Sequence, residues 1–127
     1  MLRVLLLDDD PATIEAVATF FEKFEHGHGY AVSAAGTGAE AAEALRRGRP
    51  DLLIVDVQMK GLDGLALLKQ IKTLDRTIPV IVLAGREDSR CIGDALTAGA
   101  FAYAPKPCEF VQLEHLVGLV LTAAAPV

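Results

Sequence analysis

The stretch Val4-Leu5-Leu6-Leu7-Asp8-Asp9-Asp10-Pro11 decides how this chain folds. Four consecutive apolar residues leave no polar face, so they read as a strand covered on both sides, the mark of a parallel sheet between helix layers. Asp10-Pro11 then supplies an N-cap carboxylate and a proline at the first helical position, so the strand passes straight into a helix. A second run of the same kind, Leu52-Leu53-Ile54-Val55-Asp56, also ends in an acid. Ligands of open parallel sheets bind outside the carboxyl ends of the strands. Asp8, Asp9 and Asp56 are therefore expected to crowd into one crevice, where a hard cation or a proton relieves their repulsion. A magnesium site is the simplest consequence.

Working outward, the first helix is expected to run to about Glu25, with Ile14, Val17, Ala18 and Phe21 on its core face. His26-Gly27-His28-Gly29 stops it, and a short strand, Tyr30 to Ala35, follows. Thr37 and Glu40 fit a capping box opening a second helix that ends near Arg47-Gly48. The third strand runs from Asp51 to Asp56. Asp63 can cap a third helix, Leu65 to Leu74, and Pro79 introduces a fourth buried strand, Val80 to Leu83. A loop and helix are expected from Arg86 to about Ala98, then weaker strand material from Ala100 to Ala104, where Pro105 suits only an edge strand or its end. The last helix spans roughly Glu109 to Leu121. Five strands alternating with five helices predict a doubly wound (βα)5 three-layer α/β domain with right-handed crossovers. The domain is expected over residues 1–121, with 122–127 as a tail or the start of a linker.

At 127 residues and 52% hydrophobic composition, the chain has the size and apolar content for one domain with a single core. A formal net charge of −5 argues against nonspecific association with nucleic acid or an anionic membrane. Cys91 and Cys108 lack CxxC spacing and His partners, so they read as ordinary thiols of a reducing compartment rather than zinc ligands. His26 and His28 sit in a Gly-punctuated run that fixes no ligand geometry and reads as a solvated loop. No secretory signal pattern opens the chain, and no apolar stretch reaches the ~18 residues of a membrane span. The expected location is the cytoplasm.

Asp8-Asp9, Asp56 with Asp63-Gly64, Pro79 to Leu83, Tyr103 and Lys106-Pro107, in that order and spacing, resemble the receiver domain of two-component response regulators over nearly the whole chain. The resemblance implies a flavodoxin-like sheet of order 2-1-3-4-5 and a phosphoryl acceptor at Asp56. It further implies Mg2+ held by Asp8, Asp9, Asp56 and the backbone carbonyl of Gln58. Lys106 would place a flexible point charge on the phosphoryl oxygens, aimed inward by a Lys106-Pro107 peptide that is commonly cis in the family. Tyr103 would be the aromatic that turns inward on phosphorylation. The implied donor is a sensor histidine kinase or a phosphotransfer protein. The physics agrees: a carboxylate is a poor nucleophile toward an anionic phosphoryl group unless a metal neutralises and orients that group. Asp10 and Asp63 have a plainer reading, as helix caps.

The chain also departs from the family. Ala84 stands where the fourth strand usually ends in Thr or Ser, so no hydroxyl is available to bond the phosphoryl group. A hydrogen bond to a charged group is worth about 1.5–3 kcal/mol, and its loss is expected to weaken the coupling of phosphorylation to shape change more than phosphorylation itself. Lys60 replaces the usual proline, and Gln58 and Arg86 occupy the side-chain positions that in the family tune access of water to the phosphoryl group.

On the last helix Leu113, Leu116, Val117 and Val120 form a core stripe. Val111, His115 and Leu119 fall at i, i+4 and i+8 on a separate track, which is expected to dock a partner or a second copy beside Tyr103; the alternative is scattered exposed aliphatics. The leading reading is a phosphoacceptor switch, which catalyses only its own phosphoryl transfer and dephosphorylation and is not a turnover enzyme. A pseudo-receiver that binds a partner without phosphorylation is the alternative, and Ala84 is its support. An aspartyl phosphohydrolase is disfavoured because Gln58, not a second acid, stands two residues after Asp56. No helix-turn-helix, zinc module or basic recognition helix is present, so direct nucleic-acid binding by this chain is not expected.

Overall fold

A computed structural model describes residues 2–23, 29–57, 63–85, 89–106 and 110–124. Its elements alternate in chain order: β1 (Leu2–Leu7), α1 (Pro11–Lys23), β2 (Tyr30–Ala35), α2 (Gly38–Arg47), β3 (Leu52–Asp56), α3 (Gly64–Leu74), β4 (Val80–Ala84), α4 (Ser89–Thr97), β5 (Ala102–Pro105) and α5 (Phe110–Ala124). The five strands form one parallel sheet of order β2-β1-β3-β4-β5. The order reverses direction between β1 and β3, which is where a doubly wound sheet opens a crevice at its carboxyl edge.

Successive strand residues point to opposite sides, and the core divides accordingly. Val4 and Leu6 of β1, Leu52 and Ile54 of β3, and Ile81 and Leu83 of β4 pack with Val17, Phe20 and Phe21 of α1 and Leu113, Val117 and Val120 of α5. Leu5, Leu7, Leu53, Val55, Val80 and Val82 face the other way, onto Ala41 of α2, Leu68 and Ile71 of α3 and Ala95 of α4. Every residue of β3 and β4 is buried, which is why both read as unbroken apolar runs.

The helix caps follow the sequence. Asp10 accepts the Ala12 N–H at 3.1 Å and the Thr13 hydroxyl at 3.0 Å, so it starts α1. Thr37 caps α2 through the Glu40 N–H, and Asp63 caps α3 through the Ala66 N–H at 3.1 Å. The capping box is incomplete: the Thr37 hydroxyl donates to the Glu40 carboxylate at 3.4 Å.

Several boundaries and faces differ from expectation. The core face of α1 contains Phe20, while Ala18 and Ile14 are only half-buried, because a helix lying flat on a sheet buries the i, i+3, i+4 stripe of Val17, Phe20 and Phe21. Leu116 is likewise half-buried beside the α5 stripe. β5 begins at Ala102 rather than Ala100, because the Ala100 N–H is taken by the Ala95 carbonyl at the end of α4. Gly99, at φ 113°, makes that turn in a conformation L side chains avoid. α5 continues to Ala124, three residues past the expected Leu121. The residues expected to end the first helix, His26 and His28 with it, lie outside the described residues, as do Lys60 and Cys108; Cys91 is a free thiol.

Candidate functional site

Strand register builds the site before any side chain is considered. Leu7 pairs with Val55, so the residues that follow, Asp8 and Asp56, emerge side by side at the carboxyl edge. The Asp8 N–H donates to the Ala35 carbonyl at 3.1 Å, extending the ladder one residue past β1. Both acids lie two residues beyond Leu6 and Ile54 and continue the face those residues present to α1 and α5. Their burial is nearly complete, Asp8 at 0% and Asp56 at 2% exposure, whereas Asp9 is exposed.

Lys106 reaches the pair from the far side of β4. Its Nζ lies 2.7 Å from Asp56 Oδ2 and 3.6 Å from Asp8 Oδ2. The ladder explains its entry. Ala84 pairs with Pro105 in the same unbroken register that sets Ile81 against Ala102. In a parallel ladder the carbonyl of Ala84 is then met by the N–H of the residue after Pro105, so the missing N–H of proline costs no bond here. The Lys106 N–H bonds the Ala84 carbonyl at 3.0 Å.

Among the described residues, the electrostatics are those of two buried acids beside one ammonium. Burial pushes the Asp8 carboxyl above its usual value, the Asp10 N–H pulls it back, and the charge of Asp56 adds to the rise. Burial draws the Lys106 ammonium down, but its hydrogen bond to Asp56 and the charges of Asp56, Asp8 and Asp10 outweigh it and leave the ammonium above its usual value. Asp8 Oδ1 accepts the Asp10 N–H at 2.9 Å, while its buried Oδ2 accepts no hydrogen bond.

One carboxylate oxygen from each of Asp8, Asp9 and Asp56 lies within 4.8 Å of the others, and among the described residues no other acid, His or Cys group is so arranged. All-oxygen donors, one of them buried without a hydrogen bond, fit a hard divalent cation.

Over residues 4–118 the chain matches the response regulator receiver domain. The chain belongs to this family. The Mycobacterium leprae response regulator MprA is 34% identical over 98% of this chain, and the Escherichia coli K12 DNA-binding transcriptional regulator NtrC 38% identical over 90%. The chain spans 53% of the length of MprA and 24% of that of NtrC. Among solved structures, the signal receiver domain of a signal transduction histidine kinase from Syntrophus aciditrophicus superposes with a TM-score of 0.85 at 33% identity. The two match over 100% of this chain and 95% of that one. A putative response regulator from Chloroflexus aurantiacus gives 0.84 at 32%, over 95% of this chain and 98% of that one.

The structure brings together Asp8, Asp9, Asp56 and Lys106. Ala84 is fully buried at the end of β4 and meets Lys106 through its carbonyl. Tyr103 is half-buried on β5, opposite Val82. Val111 and Leu119 are 73% and 44% exposed, with His115 exposed between them. Gln58, Arg86 and the Lys106-Pro107 peptide, including its expected cis form, lie outside the described residues.

A carboxyl whose pKa is raised on folding destabilises the folded state above that pKa, and the lost stability returns as pH falls through it. In metal-free protein Asp8→Asn is expected to raise Tm by a few degrees at neutral pH and to shrink the gain on acidification. Thermal unfolding with and without Mg2+ checks this; a variant still stabilised by Mg2+ as strongly as the parent would remove Asp8 from the ligand set.

Proposed function

We propose that this receiver domain accepts a phosphoryl group on Asp56 in a Mg2+-dependent reaction and thereby alters its protein-binding surface. The observation that carries the reading is the three-carboxylate cluster with Lys106 2.7 Å from Asp56. A histidine kinase or phosphotransfer protein is the donor. An Asp56 carboxylate oxygen attacks phosphorus as the P–N bond of the donor phosphohistidine breaks, and the electron pair stays on the imidazole nitrogen. Asp8, Asp9, Asp56 and the backbone carbonyl of Gln58 would hold Mg2+, which would supply positive charge against the phosphoryl oxygens. Lys106 exchanges its carboxylate partner for a phosphoryl oxygen, and the buried walls around Asp8 and Asp56 keep bulk water from screening these charges.

The domain catalyses only its own phosphoryl transfer and dephosphorylation, acts in the cytoplasm, and carries no direct nucleic-acid contact. Among its described residues no helix is long and apolar enough to cross a membrane. The track of Val111, His115 and Leu119 beside Tyr103 docks the output partner or a second copy. Gln58 and Arg86 set how readily water reaches the phosphoryl group. A second reading, partner binding without phosphorylation, is favoured by one observation: the fully buried Ala84 offers no hydroxyl to draw the following loop inward.

Intact mass after incubation with acetyl phosphate separates the two readings. A gain of one phosphoryl group that needs Mg2+ and is absent in Asp56→Asn supports the first, and no gain in folded protein supports the second. Ala84→Thr is expected to enlarge the phosphorylation-dependent amide shifts; identical shifts in both proteins would sink the hydroxyl argument. Val111→Glu with Leu119→Glu is expected to abolish partner capture or self-association while sparing phosphorylation, as read by sedimentation and intact mass.

A further inference from the structure

We infer that Gly64 is a positioning residue for Asp56: the bare Cα at the start of α3 is what lets the acceptor's main chain sit where its carboxylate meets Lys106 and the acid pair. The inference rests on reading Asp56 as the acceptor.

The argument begins with a residue in a poor place. Glycine weakens a helix's first turn, yet here it directly follows a well-formed cap, with Asp63 accepting the Ala66 N–H at 3.1 Å. The compensation lies across the gap to β3. A Cβ on Gly64 would stand 2.7 Å from the Asp56 carbonyl oxygen, 3.0 Å from Val57 Cα and 3.2 Å from a Val55 methyl. Two of these three neighbours are main chain, which cannot swing aside as a side-chain end can. The same peptide is held from its other side, because the Val57 N–H donates to the Leu83 carbonyl at 3.2 Å. The Asp56–Val57 peptide is thus seated between β4 and the first residue of α3. A methyl on Gly64 must move α3 outward or move Asp56. Moving Asp56 misaligns the 2.7 Å contact to Lys106 and the acid cluster at once. Elsewhere at this edge the packing is looser: a Cβ on Gly36 would meet Asp8 O and Asp9 Cβ no closer than 3.6 Å, an ordinary contact.

The test uses the 127-residue chain, with acetyl phosphate as donor and intact mass as readout, and titration calorimetry for Mg2+ affinity. Gly64→Ala is expected to lower the rate at saturating acetyl phosphate and Mg2+ on the order of 10- to 100-fold, and to weaken Mg2+ binding, with circular dichroism retained. Gly36→Ala is expected to keep both at parental values. If Gly64→Ala does not fold, Asp63 carries the test without adding atoms. Asp63→Ala frees the first turn of α3 and is expected to slow phosphorylation severalfold, and Asp63→Asn, which keeps the cap and removes the charge, is expected to restore it. A parental saturating rate in folded Gly64→Ala overturns the inference. So does an unfolded Gly64→Ala together with a parental rate in Asp63→Ala, or an Asp63→Asn as slow as Asp63→Ala. If the parent chain itself gains no phosphoryl group, the proposed function fails. Gly64 is then judged on Mg2+ affinity alone, where an unchanged dissociation constant in Gly64→Ala overturns the inference.

Discussion

Two buried carboxylates meet the Lys106 ammonium at the carboxyl edge of the sheet, and the described fold is arranged around that contact. Asp8 and Asp56 are forced together by the pairing of β1 with β3, and Lys106 Nζ lies 2.7 Å from Asp56 and 3.6 Å from Asp8. Removing such charges from water is costly unless each is paired and hydrogen-bonded, and here the pairing is incomplete. Asp8 keeps an oxygen without a hydrogen bond, and Asp9 adds a third negative charge within 4.8 Å. A divalent cation among these oxygens would relieve their repulsion.

The sheet pins the acids, and the covering helices give the site its precision. β3 and the Val4–Leu7 part of β1 are buried on both faces, so a one-residue slip in either would turn acids into the core and apolar residues into the crevice. Register is therefore strongly specified at the point where the chemistry lies. The β4–β5 ladder continues past Pro105 and brings the Lys106 main chain onto Ala84, while Gly64 lets α3 close against the Asp56 peptide. Each device is local, cheap and invisible in the hydrophobic pattern.

Much of the fold was legible in the sequence because its period changes so plainly. Unbroken apolar runs marked β1, β3 and β4, and Asp10-Pro11, Thr37 and Asp63 marked the starts of α1, α2 and α3. The errors fell where local pattern competes with packing. Ala18 and Phe20 both lie near the α1 stripe, and only packing against the sheet decides that the larger ring goes inward. The start of β5 moved because the turn after α4 consumed the N–H of Ala100.

By itself the sequence determined the alternation of strands and helices, the acids at the strand ends, the caps, and the absence of a hydroxyl at residue 84, since each is a property of residue type at a given spacing. Only the tertiary structure decided which charges share an ion pair, which oxygen of Asp8 is left without a hydrogen bond, and why glycine stands at the head of α3. The reason is physical: Asp8, Asp56 and Lys106 are separated by about fifty residues at each step along the chain. Contact between them is a consequence of parallel pairing and crossover, which no local window contains.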